Sequence, residues 1–206
     1  QQETQVLHCA KIIKKKFPNK LLFSGGVNAK SRSSIFFDAG FDVIFTSESE
    51  NFIQQIAKIM QKGSKDFSSV GKIYFKSENG KIVDNSNFGE IVWELDKLPI
   101  PAWNLLPNKR YWKIGRPHGG KVLPGKELRY ASLMTSRGCP FECSYCHIAE
   151  EVDGSKSGAI GRFRIKSDER VKNELNILKN EIGAKQVFIE DDSIFGMKRR
   201  AIRLLK

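Results

Sequence analysis

The sequence predicts an α/β protein made of two successive pieces, and three features of its 206 residues point there. Helix-like and strand-like segments alternate over residues 4–61. They alternate again from residue 130. Between the two runs lie a hairpin signal and a proline-rich stretch that a helix cannot cross. Hydrophobic residues make up 40% and charged residues 28%, enough to bury a core and to exclude wholesale disorder. Charges interrupt every apolar stretch well before the ~18 residues that a membrane-spanning helix needs.

Residues 4–16 place Val6, Cys9, Ala10 and Ile13 at three- and four-residue spacings, the pattern of an amphipathic helix, and Pro18-Asn19 ends it. On that stripe Cys9 reads as a small core residue. Leu21-Leu22-Phe23 is a short buried strand running into Ser24-Gly25-Gly26. The next helix covers Ser31 to Ala39, with Gly40 as its stop. A second strand, Phe41 to Thr46, leads through Ser47-Glu48-Ser49-Glu50 into a helix over Asn51 to Gln61, with Ser49 as its cap and acids near its positive end. This order is the closing half of an open parallel sheet, with earlier strands expected upstream.

Lys72–Lys76 and Lys81–Asp84 alternate around Asn79-Gly80, the strongest short-range hairpin signal. Leu98-Pro99-Ile100-Pro101-Ala102-Trp103 is held extended by its prolines and reads as a domain linker, with Trp93, Trp103 and Trp112 packing around it. Residues 108–128 yield no assignment. Tyr130 to Thr135 is a strand that leaves through Ser136-Arg137-Gly138. Ser167 caps a helix reaching about Glu181, with Val171, Leu175 and Leu178 as its buried stripe and Gly183 closing it; Arg170 stands where a capping box would place Glu. Gln186 to Glu190 is the next strand, ending in Glu190-Asp191-Asp192, and another helix starts near Met197. The divisions expected are 1–62, 63–129 and 130–206. The opening Gln1-Gln2-Glu3 and the close on Leu204-Leu205-Lys206, inside a helical pattern, suggest a piece of a longer protein.

Lys and Arg number 35 against 23 Asp and Glu, a net charge of +12. That balance suits acidic partners. The basic residues are dispersed, however, and the two tight runs, Lys14-Lys15-Lys16 and Lys198-Arg199-Arg200, read as solvated helix faces, which disfavours nucleic acid. Cys139, Cys143 and Cys146 stand in one C-x3-C-x2-C run just after a strand. Three thiolates on one short loop suit a metal in a reducing compartment, hence the cytoplasm, better than a secreted disulfide framework. Structural zinc is normally four-coordinate, and the fourth ligand is the difficulty: His147 adjoins Cys146, Cys9 lies in the other piece, and His118 is the best candidate. A [4Fe–4S] cluster usually takes four cysteines, so three leave one iron open to a small molecule. Gly138 lets the backbone approach closely, Pro140 stiffens the turn, and Phe141 and Tyr145 can shield a cluster. In an α/β barrel such a loop faces the active-site end. Glu190-Asp191-Asp192 closes the next strand; like charges ~4 Å apart repel by about 4 kcal/mol at an effective dielectric of 20, so the three need a cation or separation. Alternation puts Glu190 and Asp192 on one face and Asp191 on the other.

The cysteine loop, with an aromatic residue before Cys146, resembles the signature of radical S-adenosylmethionine (SAM) enzymes. The resemblance implies that Cys139, Cys143 and Cys146 hold a [4Fe–4S] cluster and that SAM chelates its open iron. Reductive cleavage would then yield a 5′-deoxyadenosyl radical. It places Tyr145 near the adenine, and Glu190, Asp191 and Asp192 where such enzymes hold the SAM amino group. Arg162-Phe163-Arg164-Ile165-Lys166-Ser167, leading to Glu174 and Asp191-Asp192, together with the 98–107 linker, is similar to the cobalamin-binding subgroup. Ser24-Gly25-Gly26 and Ser47-Glu48 resemble the last strand-loop elements of its cobalamin domain, where loops at the carboxyl ends of parallel strands form the ligand crevice. Ser47, Ser49 and Val27-Asn28 depart from the usual pattern there.

The fold this implies is the C-terminal part of a Rossmann-like cobalamin-binding domain followed by the start of a radical SAM partial barrel. The implied activity of the whole enzyme is cobalamin-dependent methyl transfer to an unactivated carbon of a small-molecule substrate, with flavodoxin or ferredoxin as electron donor. Two rivals remain at this point: a radical SAM enzyme without cobalamin, such as an RNA methylthiotransferase, and a non-enzymatic zinc-binding nucleic-acid module.

Overall fold

Two hydrophobic clusters, one on each face of a small sheet, organise the first part of the chain in a computed structural model that describes residues 2–114, 128–152 and 158–204. The chain divides into two units, residues 1–92 with 150–160 and residues 93–149 with 161–206. In the first, β1 (Phe23–Ser24) runs parallel to β2 (Val43–Phe45), β2 pairs antiparallel with β3 (Ile73–Lys76), and β3 with β4 (Ile82–Asp84). The Asn79-Gly80 hairpin therefore forms and extends the sheet. Successive strand residues face opposite sides. Val43 and Phe45 meet Phe52 and Ile56 of α4 (Glu50–Gln61), with Phe67, Val70 and Phe75. Ile44 turns the other way, onto Ala10 of α1 (Gln2–Lys16), Ala29 of α2 (Val27–Ser31) and Phe36 and Phe37 of α3 (Ser33–Asp38). Each fully buried Val, Ile or Phe side chain among them contributes about 1.5–3 kcal/mol.

Several local expectations are corrected. The inward face of α1 is Leu7 and Ala10; Val6 is 43% and Ile13 38% exposed, and Cys9 is an exposed thiol instead of a core residue. The helix expected over Ser31–Ala39 starts earlier and breaks at Arg32 (φ −120°, ψ 37°). The Ser31 hydroxyl donates to the Val27 carbonyl at 2.8 Å, a back-bond that competes with the helix and bends it. Ser49 makes no side-chain cap: its backbone is already helical, and its carbonyl takes the N–H groups of Phe52 and Ile53.

The second unit is a strand–helix–strand element with a small ribbon inserted. β5 (Tyr130–Leu133) pairs in parallel with β8 (Gln186–Ile189), and α6 (Asp168–Ile177) makes the crossover. The loop expected at Ser136-Arg137 is β6, a two-residue strand paired antiparallel with β7 (Arg164–Ile165). Leu133, Val171, Leu178, Ala184 and Trp103 form the core. Trp112, on α5 (Asn108–Ile114), is buried and donates to the Tyr130 carbonyl at 2.8 Å. Trp93 is 44% exposed with the Arg164 guanidinium over its ring, so it is a surface platform and not a buried anchor. A last helix, α7, spans Lys198–Leu204. Among the described residues no helix is long and apolar enough to cross a membrane.

Ser167 caps α6, its hydroxyl oxygen accepting from the Arg170 N–H at 3.0 Å. Arg170 has a separate task. Its guanidinium donates to the carbonyls of Asp96, Leu98 and Pro99 at 2.8–3.1 Å and, at 2.6 Å, to Glu174, which is fully buried and also takes Lys166 Nζ at 2.6 Å. The proline-rich segment is thus fastened to α6 through one buried carboxylate. Replacing Glu174 by Met strands two cations with little water, and the variant should unfold about 3–5 kcal/mol more easily. Urea titration checks this; an unchanged midpoint would mean that Lys166 and Arg170 find other partners.

Candidate functional site

The carboxyl ends of β5 and β8 lie side by side, and each carries one half of the candidate site. Past β5, Thr135 and Ser136 donate four hydrogen bonds to Asp191: both backbone N–H groups to Oδ1 (2.5 and 3.1 Å) and both hydroxyls to Oδ2 (2.5 and 2.7 Å). Arg200 of α7, 3% exposed, donates to Thr135 Oγ1, the Thr135 carbonyl and the Lys166 carbonyl, each at 3.1 Å. The basic run at 198–200 is therefore not a uniformly solvated face, and sequence reasoning missed Arg200. The signal was its spacing, two residues past the exposed Lys198 on a helix that must bury one side.

After β6 the chain turns at Gly138, whose φ is +72°. A Cβ there would lie 2.3 Å from the Arg162 carbonyl oxygen, so only glycine lets the two backbones approach this closely. The Cys139 N–H donates to the Gly161 carbonyl at 3.1 Å. Pro140 lies against Gly196, in the turn Ile194–Met197 beyond β8. Cys139 and Cys146 are partly exposed, Cys143 is exposed, and all are free thiols. The structure puts the three on one loop but does not gather them: among the described residues no three His, Cys, Asp or Glu side chains are grouped closely enough to enclose a metal ion. Metal ligands commonly converge only as the ion binds. Phe141 and Tyr145, expected as shields of a cluster, are 55% and 90% exposed. His118, the zinc candidate, lies outside the described residues.

The acidic trio follows β8, which ends at Ile189, and its members have different surroundings. Asp191 points inward to Thr135 and Ser136. Glu190 Oε1 accepts from the exposed Ser132 hydroxyl at 3.1 Å. Asp192 has its carboxyl pushed above the ordinary range by partial removal from water, an effect that nearby His147 opposes and Asp191 reinforces.

In the first unit, Ser24-Gly25-Gly26 follows β1 and Ser47-Glu48 follows β2. Because β1 and β2 are parallel, both loops leave the same edge of the sheet. Gly26, at φ +89°, directly precedes α2. Two features of this edge were not foreseen. Lys30 of α2 pairs with Glu151. Lys72, 3% exposed, has a left-handed backbone (φ 54°) and donates through Nζ to the Ser86 carbonyl at 2.9 Å; burial lowers its pKa. A side chain on Gly158 would reach within 3.5 Å of Ser47 Oγ.

No family model matches the chain. Its curated relatives are methyltransferases. An uncharacterised methyltransferase of Pyrococcus horikoshii is 35% identical over 162 residues, 78% of this chain and 30% of that protein. The cytidylyl-2-hydroxyethylphosphonate methyltransferase of Streptomyces wedmorensis is 25% identical over 214 residues, 94% of this chain and 38% of that one. The cobalamin-dependent radical SAM methyltransferase TokK of Streptomyces tokunonensis is 23% identical over 199 residues, 95% and 26% of the two chains. The chain thus spans roughly a third of the length of these relatives. Among solved structures, the cobalamin-dependent radical SAM enzyme OxsB with aqua-cobalamin and SAM bound superposes with a TM-score of 0.71 at 18% identity, over 99% of this chain and 26% of that one. TsrM from Kitasatospora setae, a radical SAM methyltransferase seen with cobalamin and a [4Fe–4S] cluster, gives 0.65 at 17% identity, over 97% and 36%. The chain has the α/β fold of the corresponding part of these enzymes, as its motifs implied, and neither rival reading is favoured.

Gly138→Ala should lower stability by roughly 1–3 kcal/mol from the left-handed backbone alone. Gly183→Ala, at φ +81° with open space around the new methyl, supplies that backbone cost without a clash. Thermal unfolding of the two variants isolates the contribution of the close approach at Gly138. Equal losses would mean that the 161–162 backbone yields.

Proposed function

Starting from this likeness to cobalamin-dependent radical SAM methyltransferases, we propose that the chain is part of an enzyme that cleaves SAM reductively and transfers a methyl group to a small-molecule substrate. One observation carries the reading: a C-x3-C-x2-C loop leaves the carboxyl end of β5 beside the acidic end of β8, in a chain that matches such enzymes over nearly its whole length. The residues fit the cofactors by donor chemistry. Cys139, Cys143 and Cys146 are soft ligands on one surface loop, outside the hydrophobic clusters and outside any disulfide, and would hold a [4Fe–4S] cluster. Such a cluster supplies the electron for SAM cleavage, and cobalamin supplies the methyl group. Glu190 and Asp192 offer carboxylates to the SAM ammonium, and exposed Tyr145 a ring to its adenine. Ser24, Gly25, Gly26, Ser47 and Glu48 line the sheet edge on which cobalamin would lie. The net charge of +12 supports docking of an acidic flavodoxin or ferredoxin, and the thiol-rich loop supports a reducing cytoplasm.

The test uses the full-length protein, reconstituted anaerobically. The wild type should bind about four irons with sulfide, added SAM should shift the paramagnetic spectrum of the reduced cluster, and Cys143→Ala should lose most of the iron. Hydroxocobalamin should survive desalting, seen by absorbance. Stoichiometric zinc without sulfide would overturn the reading, and an intact cluster without retained corrin would remove its cobalamin half.

A further inference from the structure

The capacity of Asp191 is spent. A carboxylate has about four acceptor positions, and here Oδ1 takes two backbone N–H groups while Oδ2 takes two hydroxyls. Arg200 is buried nearby; burial lowers its pKa, and the negative charge of Asp191 opposes that shift. Thr135 links the two: its hydroxyl donates to Asp191 and accepts from Arg200. Arg200 Nε has no hydrogen-bond partner among the described residues. A buried guanidinium with an unsatisfied donor is costly, so its place calls for a reason beyond packing.

That reason lies in the short segment between Thr135 and the cysteine loop. Three residues separate Thr135 from Cys139, and each is fixed. Ser136 and Arg137 are paired with Arg164 and Ile165. Gly138 presses on the 161–162 backbone, and the Cys139 amide is bonded to Gly161. No slack remains between the Asp191–Thr135–Arg200 cluster and the first cysteine. Cys143 and Cys146 are instead joined locally, the Cys146 N–H donating to the Cys143 carbonyl at 2.9 Å. We propose that Asp191 and Arg200 are positioning residues that fix the exit of β5 and thereby where Cys139 presents its sulfur. Asp191 then holds the loop, and of the three neighbouring carboxylates only Glu190 and Asp192 are left to meet a ligand. The consequence for a cluster rests on the radical SAM reading; the clamp itself does not.

The test reads sulfur reactivity in full-length, cluster-free, reduced protein: iodoacetamide labelling under native conditions, with the rate at each cysteine resolved by mass spectrometry. Asp191→Asn should raise the rate at Cys139 by about tenfold, as loss of one partly buried polar tie frees the local segment, and leave Cys143, Cys146 and Cys9 of the first unit unchanged. Cys9 and Cys143 are already exposed and report the intrinsic thiol rate, whereas a merely destabilised fold would raise the partly exposed Cys146 along with Cys139. Thr135→Val keeps both charges and should reproduce the effect, which preserves the test where Asp191→Asn fails to fold. An unchanged Cys139 rate, or an equal rise at Cys146, would overturn the proposal. In parallel, reconstitution of the wild type with iron and sulfide distinguishes the two failures. Wild type without a cluster refutes the radical SAM reading and leaves the labelling result standing; a normal cluster with an unaltered Cys139 rate refutes the clamp alone.

Discussion

A carboxylate withdrawn from water must be met by cations or donors, and the second unit is arranged around two places where this is done. Glu174, wholly buried, is met by Lys166 and Arg170. Asp191 is met by four donors and by Arg200 nearby. Each joins stretches far apart in sequence: the first fastens residues 96–99 to α6, the second fastens the exit of β5 to the exit of β8. Hydrophobic burial around Leu133, Val171 and Leu178 gives this unit its cohesion, but apolar contact is non-directional. Orientation comes from the charged groups, whose misplacement is expensive.

The first unit relies on geometry more than on charge. Its three-residue strand β2 is inaccessible at Val43 and Ile44 because helices cover both faces. That two-sided cover leaves the carboxyl edge of the parallel pair as the place where loops can take different side chains without disturbing the core, which is where Ser24-Gly25-Gly26 and Ser47-Glu48 stand.

Much of this was legible in the sequence. Period-two and period-3.6 patterns located the strands and helices, Asn79-Gly80 the hairpin, and Ser167 the cap of α6. Propensity and spacing failed where one side chain changes the local competition. The chain breaks at Arg32, next to a Ser31 hydroxyl back-bonded to Val27, where the pattern ran straight through. Ser49 was already helical and so could not cap. Which face of α1 turns inward depended on a partner sheet that periodicity does not see, so Cys9 was misplaced. Arg170 looked like a poor capping-box residue because its bonds reach over 70 positions back along the chain. Arg200 was hidden by its neighbours Lys198 and Arg199. Long-range polar partners, in short, leave no local trace.

The Arg170 tie has a bearing on how this architecture can vary. It joins residues 71–74 positions apart, so its closure depends on a long intervening chain. The entropy of closing a loop grows only with the logarithm of its length, about 0.6 kcal/mol for each doubling. Segments between the proline-rich stretch and α6 can therefore be lengthened or recast at small cost to the tie, and a single guanidinium fork gives this scaffold room to diversify its loops.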